Sequence, residues 1–351
     1  TKQQKCDDNN ECTADSCDTE NGTCSHEPIK SPECLILNYG NNLVSFSRLP
    51  EVPTPAAVFG DDLALIQLIF SEGKILKRLS NGELAGNLTH LERDVGYWIY
   101  AKLPQGASWL AVPLPGEPSD PDMKYTLHPG VNMISFAGPG AAALPAAMSA
   151  DDISIYESWI GEGLGLFLID GKWVGSLTQL QANDGYEVIV NQAKVVTLNC
   201  PDCDGEENYT YGCNNSHATN YDAAAEIDDG SCVFDVPKTW EMPHFASNTK
   251  KQAFVLVHKL GSDNPVGSFV DGKGRGFGFL HGEFTVVPVI DAPMESPIVL
   301  RQYKVMQQAE AAIELDSALV MKLNAFTVVG CKDPAANNYS EIATVSAQIC
   351  N

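Results

Sequence analysis

Eleven cysteines and a surplus of carboxylates are the residues of this 351-residue sequence best equipped for chemistry. The cysteines fall into three groups: Cys6, Cys12, Cys17, Cys24 and Cys34; Cys200, Cys203, Cys213 and Cys232; Cys331 and Cys350. The stretches 35–199 and 233–330 contain none. Thiols grouped in this way either form disulfides or bind metal. Only Cys200-Pro-Asp-Cys203 has the C-x2-C spacing of a zinc site, no second such pair follows, and His217 stands alone nearby. Short cysteine-dense segments between cysteine-free ones fit disulfide staples, and disulfides place the chain outside the cell or at its surface. Cys213 to Cys232 and Cys331 to Cys350 each span 19 residues, too few for a core of their own. A bridge is therefore expected across each, worth about 3 kcal/mol by loop closure. Cys34 and Cys200 flank the cysteine-free stretch between them; they could clasp it, or each could pair locally. The odd count leaves one cysteine over, expected at Cys34, Cys200 or Cys203, either as a thiol or bonded to a neighbouring subunit.

The acids follow the cysteines. The formal charge is −23, and residues 1–34 and 200–235 supply −5 and −9 of it, whereas 236–330 is neutral. Such a balance excludes a phosphate backbone as partner. Asn220, Asp222, Asp228 and Asp229 set hard oxygens within ten residues, which suits calcium; Asp7, Asp8, Asp15 and Asp18 offer a second cluster. The same residue types also cap turns in solvated loops, and no EF-hand loop is present. The acids are missing from the matching C-terminal segment, so its fold cannot require calcium. N-x-S/T sequons at Asn21, Asn87, Asn208, Asn214 and Asn338 are candidate glycan sites. The seven histidines are scattered, no H-E-x-x-H or G-x-S-x-G occurs, and no enzyme activity is expected. Gly272-Lys273-Gly274-Arg275-Gly276 lacks the ending of a phosphate loop and reads as a glycine-rich hairpin. Trp98 and Trp173 read as core, whereas Trp109 and Trp159 could stack on a sugar or a subunit. No apolar run of 18 or more residues could cross a membrane as a helix, and the opening at Thr1 reads as a processed chain or a fragment.

Positioning these groups falls to a mainly β chain of several small sandwich-like modules joined by stapled, Asp-rich segments. Two copies of one module fill 35–199. Gly40-Asn41-Asn42-Leu43-Val44-Ser45-Phe46 matches Gly130-Val131-Asn132-Met133-Ile134-Ser135-Phe136, and Gly96-Tyr97 matches Gly185-Tyr186. Asn81-Gly82 and Asp170-Gly171 are type I′ hairpin signals; short helices are expected near Pro55 and Leu144. The copies could be separate sandwiches or pair face to face. A second repeat relates Gly212-Cys213 to Gly330-Cys331, with Asn220-Tyr221 matching Asn338-Tyr339. The expected order is 1–34 cysteine-rich, 35–120 and 121–199 the two copies, 200–232 an acidic disulfide linker, 233–330 a cysteine-free sandwich, and 331–351 a disulfide module.

Three resemblances accompany these patterns. Cys6 to Cys24, read as C-x5-C-T-x-D-x-C with a fourth cysteine, resembles the cysteine-rich repeat of slime-mould extracellular-matrix proteins. Gly212-Cys213 with Ala218-Thr219-Asn220-Tyr221-Asp222 and Asp228-Asp229-Gly230-Ser231-Cys232 resembles a disulfide motif of marine secreted proteins. The tandem resembles G-x-N-x-x-S-F modules of secreted bacterial proteins. These resemblances imply surface and matrix proteins without enzymatic activity. The expectation is an extracellular structural subunit that self-assembles into a filament, appendage or matrix, by strand addition or an intersubunit disulfide. The alternative is an adhesin that binds glycans or a receptor.

Overall fold

The structure is a computed structural model. It describes residues 6–18, 20–200, 210–228, 231–240, 252–290, 292–293, 295–315, 317–320 and 326–351. The chain is mainly β, arranged in several small sheets with disulfides. Copy 1 forms an antiparallel sheet in the order Gly40–Val44, Tyr97–Ala101, Ile66–Ser71, Lys74–Arg78, Leu84–Gly86. Copy 2 repeats that order with Gly130–Ile134, Tyr186–Val190, Tyr156–Ile160, Gly165–Ile169, Lys172–Gly175.

The repeated motif has a physical reading at each position. Asn42 Oδ1 accepts from the Asn38 N–H at 2.7 Å and its Nδ2 donates to Asn38 O at 2.9 Å, closing the turn before the first strand; Asn132 does the same with His128 at 2.9 and 2.8 Å. Phe46 and Phe136 fill the two cores. The serine between them binds the other copy: Ser45 Oγ donates to Asp184 O and Ser135 Oγ to Arg93 O, each at 2.7 Å. Gly185 N–H donates to Leu43 O and Gly96 N–H to Met133 O, each at 3.1 Å. A Cβ at Gly96 would meet Ile134 O at 2.7 Å, and one at Gly185 would meet Val44 O at 2.5 Å, so this approach requires glycine. The two copies therefore pair face to face about a pseudo-two-fold axis, as one interlocked body.

Residues 252–330 form a sandwich. One sheet runs Leu280–His281, Phe284–Ile290, Gln252–His258, Phe326–Gly330, Val345–Ser346; the other runs Lys273–Gly278, Val266–Val270, Pro297–Lys304, Ala309–Ile313. Val255, Val257, Val287 and Val289 pack inward against Val266, Val270 and Leu300. Phe254, Leu256 and Val286 face the other way and pack on Ile160 and Phe167 of copy 2. A sheet covered on both faces reads as a continuous apolar run, which explains Ala253-Phe254-Val255-Leu256-Val257.

Some expectations fail locally. The segment at Leu144 makes turns rather than a helix; the helix at Pro55 is present as Pro55–Phe59, capped by Thr54. Asp170 and Gly171 both have positive φ, as a type I′ turn requires, but Asn81 does not, and that hairpin closes through a longer loop at Leu79 and Glu83. Trp159 is fully buried against Tyr156 and Tyr186, so it is core and no sugar platform; Trp98 is buried as expected, while Trp109 and Trp173 are half-buried.

Candidate functional site

The N-terminal segment is a hairpin of Thr13–Cys17 with Cys24–Pro28, in which Cys17 faces Cys24. Cys12 is bonded to Cys34 and buried with it against Ala111. That bond corrects the clasp: Cys34 is satisfied 22 residues upstream rather than by Cys200. Cys200 is itself disulfide-bonded, and Cys203 lies outside the described residues. Cys6 lies at bonding distance from both Cys17 and Cys24, and the three sulfurs are within 4.8 Å of one another. Cys34 and Cys200 are thus both bonded, which corrects the expectation that either is the surplus cysteine. Beside the three sulfurs, His26 Nδ1 contacts Asp15 at 2.6 Å and Asp8 at 3.5 Å. The bond to Asp15 raises the His26 pKa, and the same bond lowers that of Asp15. Asp7, Asp8 and Asp18 accept backbone N–H groups of Asn9, Asn10 and Glu20, so this acidic cluster works as turn caps.

The two stapled modules are copies in their bonding too. Cys213–Cys232 and Cys331–Cys350 are both formed. Asn220 Nδ2 donates to Ser231 O and its Oδ1 accepts from Val233 N–H, each at 2.7 Å. Asn338 repeats this with Ile349 O at 2.6 Å and Asn351 N–H at 3.0 Å. The acid-poor module thus keeps the same clamp, which makes Asn220 a structural residue. Asp222 Oδ1 caps Ala224 N–H at 2.9 Å, and the Asp228 carbonyl accepts from Lys30 Nζ at 2.9 Å. Asp229 lies outside the described residues. Among the sequons, Asn21 and Asn87 are exposed, Asn214 is half-buried, and Asn208 lies outside the described residues. Asn338 is buried with both Nδ2 hydrogens engaged, to Ile349 O and Lys259 O, which leaves no room for a glycan in the folded chain.

Two features escape sequence reading. The first is the pair of hairpin glutamates at the tandem interface. Glu72 Oε1 accepts from Met133 N–H at 2.5 Å, and Glu162 Oε2 accepts from Leu43 N–H at 3.1 Å. Glu72 is exposed and binds His128 at 2.7 Å, which raises the histidine's pKa. Part of Glu162 reaches a cleft, but its carboxylate lies deep, and burial pushes its pKa up to about 7. Their register 90 residues apart was the available signal. At the interface centre Trp98 Nε1 donates to Glu187 Oε1 at 2.8 Å, with both side chains fully buried.

The second feature is a cleft of about 770 Å³ where copy 2, the acidic module and the sandwich meet. Glu162 and Lys238 line it, with Phe234, Phe277, Phe279 and His281 as an aromatic wall. His217 stacks on Phe279 at 4.7 Å, and Phe234 lies 5.0 Å from the same ring. Burial lowers the pKa of His217 and His281, so both are neutral near pH 7. Only three-dimensional assembly brings these residues together from 162–176, 215–238 and 277–288.

No helix among the described residues is long and apolar enough to cross a membrane. No curated protein and no solved structure matches the chain. Residues 5–29 match the family model described as the Dictyostelium (slime mold) repeat, so the N-terminal knot is similar to that disulfide-rich repeat, of a kind that points to an extracellular structural or adhesive protein.

Proposed function

We propose that the chain is a non-enzymatic structural subunit, outside the cell, that self-assembles into a filament, appendage or matrix. The observation that carries this reading is the edge strand Ala309–Ile313. It pairs with Pro297–Lys304 on one side, and no strand among the described residues pairs with it on the other. Edge strands are normally guarded by lysine, proline or a bulge. Here the sequence is Ala-Glu-Ala-Ala-Ile, exposed at Ala309, Glu310 and Ala312, and the one charge is tied to Arg301 at 3.0 Å. Met306, just ahead of it, is 96% exposed. Backbone groups on such an edge supply affinity to an added strand whatever its side chains. A rigid body suits that role: the tandem and the sandwich share apolar contacts, and the C-terminal module adds Val345–Ser346 to the sandwich sheet.

The test is assembly as a function of concentration, followed by sedimentation and negative-stain imaging. Ala309→Lys with Ala312→Lys places guards on the edge without touching the core and is expected to abolish assembly at unchanged melting temperature. Assembly identical to the parent chain would refute edge pairing. The cleft favours a second reading, an adhesin that takes a sugar or receptor segment against Phe234, Phe277 and Phe279. Glycan-array binding by a monomeric chain, lost in Phe279→Ala, would select it.

A further inference from the structure

Glu162 offers the cleft an acceptor that the fold does not use. Its Oε2 accepts from Leu43 N–H at 3.1 Å, and no residue among those described donates to Oε1. The side chain lines the cleft together with Phe234, Phe277 and Phe279. The centroids of these rings are 5.0–5.8 Å apart, too close for a ligand to enter between them, so the three half-buried rings form one wall. Lys238 is the one lysine or arginine among the described lining residues, against the carboxyls of Glu162 and Asp228, and no ion pair joins it to Glu162.

The same chain shows which group satisfies a phenyl ring and a carboxylate at once. In the sandwich the Arg301 guanidinium lies 4.5 Å from the Phe269 ring centroid while its Nη1 donates to Glu310 at 3.0 Å. A guanidinium is planar and weakly hydrated, so it stacks on a ring and still presents N–H groups to an acceptor; an ammonium does this less well.

We propose that the cleft takes an arginine side chain of another polypeptide, its guanidinium donating to Glu162 Oε1 and lying on the phenylalanine wall. The inference narrows the second reading above, a receptor segment held in the cleft, and is independent of edge pairing. A second copy is not the donor, because Arg48, Arg78, Arg93 and Arg301 are each bonded within their own fold and Arg275 also has a partner there. The charge of −9 on residues 200–235, which supply one side of the cleft, draws a cation to it. The charged or titratable groups around the Glu162 carboxyl are Asp184, Asp228, Lys238 and His281, and the last is neutral near pH 7. A cation that selects the ionised carboxylate releases its proton, so affinity rises with pH through about 7.

The test uses the full chain and three blocked peptides, N-acetyl-Leu-Arg-Leu amide and its lysine and citrulline counterparts, titrated and followed by NMR. Arginine is expected to bind most tightly and citrulline, its neutral isostere, least. Glu162→Gln keeps the bond to Leu43 and is expected to weaken arginine binding about tenfold. Phe279→Leu keeps apolar volume without the ring and is expected to weaken it as well. In the parent chain the arginine affinity is expected to rise about tenfold from pH 6 to pH 8, as the ionised fraction of Glu162 does, and in Glu162→Gln to stay level. Citrulline or lysine bound as tightly as arginine, an unchanged affinity in Glu162→Gln, or a level profile in the parent chain would overturn the proposal. Glycan binding lost in Phe279→Ala, by a chain that takes none of the peptides, would keep the adhesin reading and strike this ligand.

Discussion

Replacing Glu162 by Gln tests the tandem interface most directly. The amide oxygen can still accept from Leu43 N–H, so the change removes the charge and keeps the bond. The carboxyl goes from 4.5 to about 7 on folding because burial disfavours the charged form. Between these values the folded chain binds more protons than the unfolded one, so stability falls as pH rises through the window. From pH 5 to pH 8 this single group withdraws about 2.5 kcal/mol, since each pH unit between the two values costs about 1.4 kcal/mol. In Glu162→Gln that loss is absent. The assay is urea denaturation followed by fluorescence of the buried Trp98 and Trp159, at pH 5, 6, 7 and 8. The variant should match the parent near pH 5 and exceed it by about 2–3 kcal/mol at pH 8. Glu72→Gln is the internal control, since the equivalent carboxylate is exposed beside His128 and the same gain is not expected. Parallel pH profiles for the parent and Glu162→Gln would refute the argument that burial raises the pKa of this carboxylate.

Other measurements probe other joints. Trp98→Phe removes the donor to Glu187 at the tandem centre and should cost about 1–3 kcal/mol, read by chemical denaturation. Phe167→Ala empties the contact between copy 2 and the sandwich and should cost about 3–5 kcal/mol, with amide-exchange protection lost on both sides of that contact. His217 and His281 have pKa values lowered by burial, so their contribution is full above 6.5 and is lost as pH falls below it. Histidine resonances followed by NMR should titrate below 6.5, coupled to loosening of the Phe279 cluster. Replacing Cys331 and Cys350 by Ser should cost about 3 kcal/mol, measured by thermal unfolding.

The parts of the fold legible in the sequence were those written in local spacing. Two loops of equal length ending in cysteine announced their own bridges, and the paired G-x-N-x-x-S-F strings announced the duplication. The roles within that string were hidden, because Ser45 and Gly185 act on the opposite copy and only assembly brings them there. Trp159 misled for the same reason: what covers an aromatic ring is decided by Tyr156 and Tyr186, one of them 27 residues away. The partner of Cys34 was hidden too, because Cys12 and Cys34 are buried together against Ala111, a contact that exists only in the fold. The cleft drew on three segments, none of them distinctive alone.

The contact between Trp98 and Glu187 joins positions that correspond to each other in the two copies. Residues that are equivalent and also touch must lie on the axis relating the halves, and there the duplicated pair has become chemically unlike. Two first copies would set two indoles face to face with no acceptor between them; two second copies would bury a pair of carboxylates together. Recognition between halves therefore has a direction. If the halves of neighbouring chains ever exchanged partners, only a first copy meeting a second would fit, and the product would be an ordered head-to-tail series.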